Sequence, residues 1–202
     1  MRSFKDYCKG GIFMKKLQQQ FSDSYKELRK INTIVLAALL IAIGIVLGYF
    51  SIQVTPEMKI GVAFITNQLT AVLFGPVVAG IVGGVSDILK FLIKPTGAFF
   101  IGWTLNAMVG PMIYGMMLYK KKLTFWRILA SKAVVAVIVN MGMGTLWLSI
   151  MYGKAFIPIL LTKAVQESIQ VPIQSVIFWL VIVALRKTRA FEQLSYVEWK
   201  KK

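Results

Sequence analysis

Apolar residues in this chain fall into long runs separated by short basic or glycine- and proline-containing segments. The first run, 31–50, has roughly the twenty residues that a helix needs to cross the hydrocarbon core of a bilayer. Further runs cover about 61–74, 77–93, 99–119, 128–152 and 159–185. The second of them is short and ends at a turn formed by Gly75 and Pro76. The pattern predicts an all-α membrane protein with six transmembrane helices.

Two connections on one side of this bundle stand out. Residues 51–60 read as an extended loop, and Lys94-Pro95-Thr96-Gly97 predicts a turn between the third and fourth spans. Proline fixes its own φ and lacks a donor, while glycine accepts backbone angles that other residues resist, so both favour a turn here.

The basic residues assign an orientation. The segments 1–30, 120–127 and 186–202 hold 18 lysines and arginines, against five on the opposite side. The positive-inside rule therefore predicts that both termini are cytoplasmic, which agrees with an even number of spans. The predicted organisation is a basic cytoplasmic segment at 1–30, a six-helix domain at 31–187 and a basic cytoplasmic tail at 188–202.

Composition narrows the function classes. The chain is 57% hydrophobic with a mean hydropathy of +0.68, so its net charge of +16 reports membrane topology rather than nucleic-acid binding. It has no histidine and a single cysteine, Cys8, which argues against disulfides and against metal sites built from thiolates or imidazoles. We expect no cofactor. No nucleophile with a base, paired carboxylates or phosphate-binding loop is evident, so we expect no enzyme activity and ATP binding only by another subunit.

Small and polar residues within the spans suggest contacts. Ala38 and Ala42 share a face of the first span, where another helix can approach closely, either within the bundle or from a partner subunit. Asp87 and Lys90 are three residues apart, so they are predicted to form an ion pair, with direct contact to a ligand as the alternative.

The sixth span carries a polar face near its start. Lys163, Gln166, Gln170 and Gln174 follow a helical repeat, and polar groups within lipid must face the protein interior or water. Pro172 lies within this face and is predicted to kink the helix.

Aromatic and cationic residues gather at the external ends of the spans. They are Lys59, Lys94, Phe99, Phe100, Trp103, Trp147, Tyr152, Lys154 and Lys163, and the amide residue Gln166 lies with them. Membrane-interface anchoring explains any one aromatic residue. Together, aromatic faces, amides and lysines would suit a flat heteroaromatic acid.

Several motifs resemble the substrate-binding S-components of energy-coupling factor (ECF) vitamin transporters, over about 31–187. They are LFGPVV at 73–78, Gly84 with Asp87, PTGAFFIGWTL at 95–105 and IYG at 113–115. The motifs TLWLS at 145–149, YGKAF at 152–156 and PIQ at 172–174 are similar to the folate-specific branch. A glycine at 144 and a lysine at 163 depart from that branch, where asparagine and arginine are common.

The resemblance implies a fold, a ligand and partners. S-components are six-helix proteins of the bacterial plasma membrane that bind a vitamin outside and work with a transmembrane coupling protein and two ATPase subunits. Ala38 and Ala42 match the family's coupling-protein motif. Folate would then stack its pterin near Phe99, Trp103 and Trp147, beside Thr145 of the TLWLS motif. Its polar edge would meet Asn106, Asn140, Gln166 or Gln170, and its carboxylates Lys59, Lys94, Lys154 or Lys163.

Two alternatives remain open at this stage. An S-component for riboflavin or pantothenate would share the family but not the ligand, and removal of the external lysines would leave riboflavin binding intact. A membrane scaffold would bind no vitamin and would not co-purify with an ATPase module.

Overall fold

The computed structural model describes the backbone of residues 2–49, 52–55, 58–95, 99–153 and 155–186, and side chains within 14–49, 61–95, 99–151 and 155–185. These parts of the chain are almost entirely helical. The elements in chain order are α1 (Arg2–Glu27), α2 (Ile31–Tyr49), β1 (Ile52–Thr55), β2 (Met58–Ile60), α3 (Phe64–Ile93), α4 (Ile101–Leu118), α5 (Phe125–Val135), a π-helix (Ala136–Met143), α6 (Gly144–Tyr152) and α7 (Phe156–Arg186).

Within the described residues, four helical segments are long and apolar enough to cross a membrane. They are Ile31–Tyr49, Pro76–Ile93, Phe125–Met151 and Phe156–Leu185. The segment Phe64–Phe74 is apolar but shorter, and α4 has 18 residues. The predicted all-α class with several apolar helices is therefore confirmed, whereas the count of six spans stays a prediction.

The exterior of the bundle is apolar while several polar residues are buried. Ile31, Leu92 and Val165 are each at least 65% exposed, whereas Gln68 and Thr145 have no exposed surface. This distribution is the reverse of that in a soluble domain and fits a chain whose outer surface faces lipid.

The segment 51–60, predicted as an extended loop, contains a small β-hairpin. β1 and β2 pair antiparallel, with Ile52 opposite Ile60 and Gln53 opposite Lys59. The loop prediction was wrong for these strands because Ile52, Val54 and Thr55 are β-branched and favour extended pairing.

α3 is a helical hairpin. An added Cβ at Gly44 of α2 would meet Thr66, and one at Gly48, a turn further on, would meet Lys90. A straight helix would place Thr66 and Lys90 about 36 Å apart. The two halves of α3 must therefore fold back on each other at Gly75, which has φ 86° and ψ −174°. The turn predicted at Gly75 and Pro76 is confirmed.

A serine from α1 closes this hairpin. Ser24 Oγ donates to the carbonyl of Phe74 at 2.7 Å and accepts from the backbone N–H groups of Val77 and Val78 at 3.0 and 3.3 Å. These two donors belong to the first turn of the second half of α3, where no helical carbonyl can reach them. Ser24 thus acts as an N-cap supplied by a different helix.

Two further contacts hold α1 against the end of α4. Gln20 Nε2 donates to the carbonyl of Tyr119 at 3.2 Å, and Lys120 Nζ lies 2.7 Å from Asp23 Oδ2. We call the region formed by Gln20, Asp23, Ser24, Gly75 and Tyr119 the α1 junction.

The second half of α3 packs closely against α4. An added Cβ at Gly83 would lie 2.0 Å from the carbonyl oxygen of Ala107, so only glycine permits this approach. The buried apolar core adjoins the α1 junction. It includes Leu73, Phe74, Val78, Val82, Ile113, Leu118, Ile128, Val135, Phe178 and Ile182.

The predicted Asp87–Lys90 ion pair does not form as a contact within 4.0 Å, although the two charges interact electrostatically. Ion pairs within 4.0 Å among the described residues join Lys30 to Glu27 and Lys120 to Asp23. Asp87 Oδ2 instead accepts a hydrogen bond from Thr104 Oγ1 at 2.9 Å, because α4 presents this hydroxyl to it.

Candidate functional site

The inward face of α7 carries a ladder of polar side chains. Lys163, Glu167, Gln170 and Gln174 are spaced by four, three and four residues, which aligns them along one side of the helix. Pro172 lies within α7, and the helix continues through it from Phe156 to Arg186. The ladder faces α5, the π-helix and α6, all of which contact α7.

A buried lysine of α5 begins a chain of hydrogen bonds to this ladder. Lys132, 6% exposed, donates from Nζ to Gln174 Oε1. Gln174 Nε2 then donates to Gln170 Oε1 at 3.1 Å. The Lys132 ammonium also lies 4.4 Å from the ring centroid of Phe64 and 5.6 Å from that of Tyr114, within the range of cation–π attraction.

The π-helix places an amide against the same ladder. Asn140 Nδ2 donates to Glu167 Oε1 at 2.9 Å. A π-helix adds a residue to each hydrogen-bonded turn and changes which side chains face inward, and such segments occur frequently at functional sites. Glu167 also interacts electrostatically with Lys132 and Lys163. We call Lys132, Asn140, Glu167, Gln170 and Gln174 the interior cluster.

A second group of side chains lies further along α7, toward its N-terminal end. Trp147 Nε1 donates to Asn106 Oδ1 at 3.0 Å. A Cβ added at Gly144 would be 3.4 Å from Lys163 Nζ and 3.7 Å from Asn106 Nδ2. Gly144 therefore leaves space in which a cation and an amide donor converge, and a larger residue there would fill it.

An aromatic wall borders this group. The rings of Phe100 and Trp147 pack edge to face with centroids 5.6 Å apart. Edge-to-face packing holds the indole in place and can leave one of its faces open to a flat ligand. The Phe100–Trp147 pair, the ammonium and amide groups beside Gly144, and the polar ladder of α7 thus lie on adjoining parts of α4, α6 and α7.

Several buried polar atoms in this region have no hydrogen-bond partner among the residues that the structure describes. They are both amide atoms of Gln68, the hydroxyl of Thr145 and Nε2 of Gln170. The Gln68 amide approaches the Tyr114 hydroxyl without completing a hydrogen bond. Such groups cost about 1–3 kcal/mol each when left unsatisfied, and each one in a native structure needs an explanation. A bound polar ligand would provide one.

The structure brings together much of the site predicted from sequence. Lys163 and Asn106 face Gly144, and Thr145 is the next residue. Trp147 bonds to Asn106 and packs on Phe100. Asn140 and Gln170 belong to the interior cluster. These placements agree with the predicted pocket, and the binding role of each residue stays a prediction.

Other predicted residues lie at the margin of this region or cannot be placed. Phe99 is 50% exposed and packs on Phe91, with ring centroids 5.0 Å apart. Lys94 is exposed, with Nζ 5.5 Å from the Tyr49 ring centroid. Trp103 and Gln166 are half-buried. The side chains of Lys59 and Tyr152, and all of Lys154, lie outside the described residues.

The sequence did not point to Lys132, Glu167 and Gln68. Lys132 is a single charge in an apolar run, and no local spacing links it to Gln174 of α7. Its signal was that single charge itself, since ionisable residues within membrane spans are expensive and are retained for function or pairing. Glu167 is adjacent to Gln166, and both fit a helical repeat with Lys163 and Gln170. The sequence prediction therefore placed Gln166 on the polar face of the helix in the position that Glu167 occupies.

The small residues predicted to dock a partner lie on the outer side of α2. Ala38 and Ala42 are both exposed. Ala38 also lines an apolar groove between α2 and the second half of α3, with Ala37, Ile41, Val78 and Val82. The groove is available to an apolar helix, and nothing in the chain itself shows what covers it.

Comparison with known proteins assigns the family. Residues 32–187 match the family model for the ECF transporter substrate-specific component, a transporter subunit rather than an enzyme. The chain is 40% identical to the folate transporter FolT of Clostridium novyi (strain NT) over 152 residues, 75% of this chain and 88% of that protein. It is 31% identical to FolT of Leuconostoc mesenteroides over 146 residues, 69% of this chain and 78% of that protein.

A solved structure shares the fold. The crystal structure of FolT bound with folic acid superposes with a TM-score of 0.70 at 33% sequence identity, over 75% of this chain and 93% of that one. The apolar helices, the matched family model over most of the chain and this structural likeness agree. The chain belongs to the family of substrate-specific components of ECF transporters.

Proposed function

We propose that this protein is the folate-binding membrane subunit of an ECF-type importer. The observation that carries the proposal is its similarity to FolT proteins, at 40% identity over 152 residues in one case and with the fold of a folic-acid-bound FolT in another. The site supports it because aromatic, amide and ammonium groups converge there. Several buried polar atoms nearby also have no hydrogen-bond partner among the described residues.

Each part of folate has a matching group in this site. The flat pterin ring would stack on the Trp147 face beside Phe100, and its donors and acceptors would meet Asn106, Asn140, Thr145 and Gln170. The glutamate carboxylates would lie toward Lys163, with Lys59, Lys94 and Lys154 at the external mouth. Lys163 supplies a point charge rather than the planar fork of an arginine, so its contact is less directional.

The proposal includes a membrane topology. The helical segments 64–74 and 101–118 would cross with the four longer helices, giving six spans and two cytoplasmic termini. The basic residues of α1 and of 120–127 support this arrangement, since positive charge favours the cytoplasmic side.

The proposal also includes partners. The groove beside Ala38, continued by Ala42, would receive the transmembrane coupling protein, which works with two ATPase subunits. No phosphate-binding motif occurs in the sequence, so ATP hydrolysis belongs to those subunits. The resulting complex would act in the bacterial plasma membrane, where the folate subunit captures ligand outside.

Tryptophan quenching of the detergent-solubilised protein tests the ligand. Folic acid should quench strongly and saturably, while riboflavin and pantothenate should not compete. Trp147→Phe should lose most of the quenching, whereas Trp126→Phe should keep it, because Trp126 is 73% exposed and lies at the start of α5. Saturable binding of riboflavin or pantothenate alone would keep the family and reject folate, and binding of none of the three would favour the scaffold alternative.

A further inference from the structure

The buried ammonium of Lys132 determines how two glutamine side chains are turned. A lysine ammonium only donates hydrogen bonds, so the atom of Gln174 that faces it must be the amide oxygen, Oε1. Gln174 then has only its nitrogen to offer Gln170, and Nε2 donates to Gln170 Oε1 at 3.1 Å. The cation–π contacts with Phe64 and Tyr114 hold the ammonium in place.

The direction of these hydrogen bonds fixes which atom of the Gln170 amide faces the interior. With its oxygen turned toward Gln174, Gln170 directs Nε2 away from that contact, and this atom is buried without a partner among the described residues. A free amide could turn over and offer either a donor or an acceptor, but this one is held as a donor. Thr145, whose buried hydroxyl is also unpartnered, can adapt to either role because a hydroxyl both donates and accepts.

We propose that Lys132 is a positioning residue for ligand selectivity. Through Gln174 it holds Gln170 with its N–H group toward the ligand, so that the site prefers a ring carbonyl, an acceptor, over an amino group, a donor, at the same ring position. This inference rests on the proposed function, since it specifies which edge of the pterin ring the site selects.

Gln174→Glu is the variant that tests the direction of the chain. A glutamate keeps the size of the side chain and pairs with the Lys132 ammonium, while it adds one negative charge to a cluster in which Lys132 already interacts with Glu167. An ionised carboxylate cannot donate, so Gln170 must turn over, give its Nε2 to the introduced carboxylate and present its oxygen to the ligand. The substitution therefore inverts the hydrogen-bonding character of Gln170 without changing that residue.

The probes are folic acid and its 4-amino analogue, in which an amino group replaces the ring carbonyl. We expect wild-type protein to bind folic acid more tightly, and Gln174→Glu to shift the ratio of the two dissociation constants by at least about tenfold toward the analogue. Lys132→Met removes the ammonium, so the amides of Gln174 and Gln170 can adopt either orientation. This variant should shift the same ratio by a smaller factor. Gln19→Glu, an exposed residue of α1, makes the same charge change and should leave the ratio unchanged.

The outcomes separate the inference from the proposed function. Wild-type protein that binds neither probe overturns both. Wild-type protein that binds folic acid, with an unchanged ratio in Gln174→Glu, overturns the inference alone. If Gln174→Glu fails to fold, as judged by size-exclusion profile and thermal unfolding, Lys132→Met decides, and an unchanged ratio there overturns the inference as well.

Discussion

The α1 junction and the surroundings of the interior cluster differ in how their buried hydroxyl groups are bonded. At the junction, one hydroxyl, that of Ser24, makes three hydrogen bonds that complete the turn of α3. Around the interior cluster, Gln170 and Thr145 each keep a buried polar atom without a partner. Satisfied polar groups stabilise the fold, whereas unsatisfied ones lower its stability, and each of them needs an explanation such as a bound ligand. Gln20 Oε1 of the α1 junction is also buried without a partner among the described residues, so the contrast lies between two hydroxyls: that of Ser24 is fully bonded and that of Thr145 is not.

The largest effect on stability should come from Gly75→Ala. A φ of 86° with a ψ of −174° is a conformation that essentially only glycine adopts, so alanine would be strained by about 1–3 kcal/mol. The added Cβ would also lie 2.9 Å from Ser24 Cβ and Oγ. Displacing Ser24 adds about 1 kcal/mol for the lost cap. Thermal unfolding of the purified protein should show a clearly lower midpoint. Gly153→Ala is the control without a steric clash, because nothing lies within 4 Å of the added Cβ. Its φ of 62° and ψ of 18° are left-handed helical, so it should show only the smaller strain of that conformation.

Ser24→Ala should lower stability by about 1–2 kcal/mol, as expected for loss of an N-cap and its hydrogen bonds. The dissociation constant for folic acid should stay the same, because the junction lies away from the site. Thermal unfolding and quenching titrations of the same sample measure both quantities. Ser22→Ala, an exposed neighbour, should change neither, and a weakened affinity in Ser24→Ala would contradict the separation of the two regions.

Thr145→Val should weaken ligand binding without lowering stability, the reverse of the result expected for Ser24→Ala. Its hydroxyl is buried without a partner, so the ligand-free protein should unfold at the same or a higher temperature after the hydroxyl is removed. The dissociation constant for folic acid should rise by about three- to tenfold if the ligand supplies the missing hydrogen bond. Thr162→Val is the control, since that hydroxyl is exposed and donates to the carbonyl of Pro158 at 3.0 Å. A large loss of stability in Thr145→Val would place this residue with the structural ones.

The smallest effect should come from Asp23→Asn, which removes the exposed pairing with Lys120. Partly exposed ion pairs contribute less than about 1 kcal/mol, so the unfolding midpoint should fall only slightly. Salt screens such pairs, so the difference from wild type should shrink at high ionic strength. A drop comparable with that of Ser24→Ala would show that charge, and not the cap, holds α1 in place.

Helix positions were largely predictable from the sequence because long apolar runs report burial in lipid directly. The runs at 31–50 and 159–185 correspond to Ile31–Tyr49 and Phe156–Arg186. The hairpin turn was also predictable, since Gly75 and Pro76 act through local backbone geometry. The strands β1 and β2 were missed because three or four residues carry too weak a pattern to separate a strand from a loop.

The polar contacts were less predictable than the helices. Lys132 reaches Gln174 across 42 positions of sequence, and no periodicity reports such a partner. Asn140 was predicted as a polar contact, but its meeting with Glu167 depends on the π-helix, which shifts the facing of side chains within an otherwise α-helical span. Asp87 bonds to Thr104 of α4 rather than to its own helical neighbour, so tertiary packing overrode the local spacing.

The cap between α1 and α3 also has a consequence for the order in which the protein is made. Ser24 leaves the ribosome 50 residues before Phe74, the residue whose carbonyl it will bind. The turn of the α3 hairpin can therefore close as soon as its second half emerges, because Ser24, which caps it, has already been synthesised. The donors of α7 are translated last, so a nascent chain can be anchored and correctly turned long before it can hold a ligand.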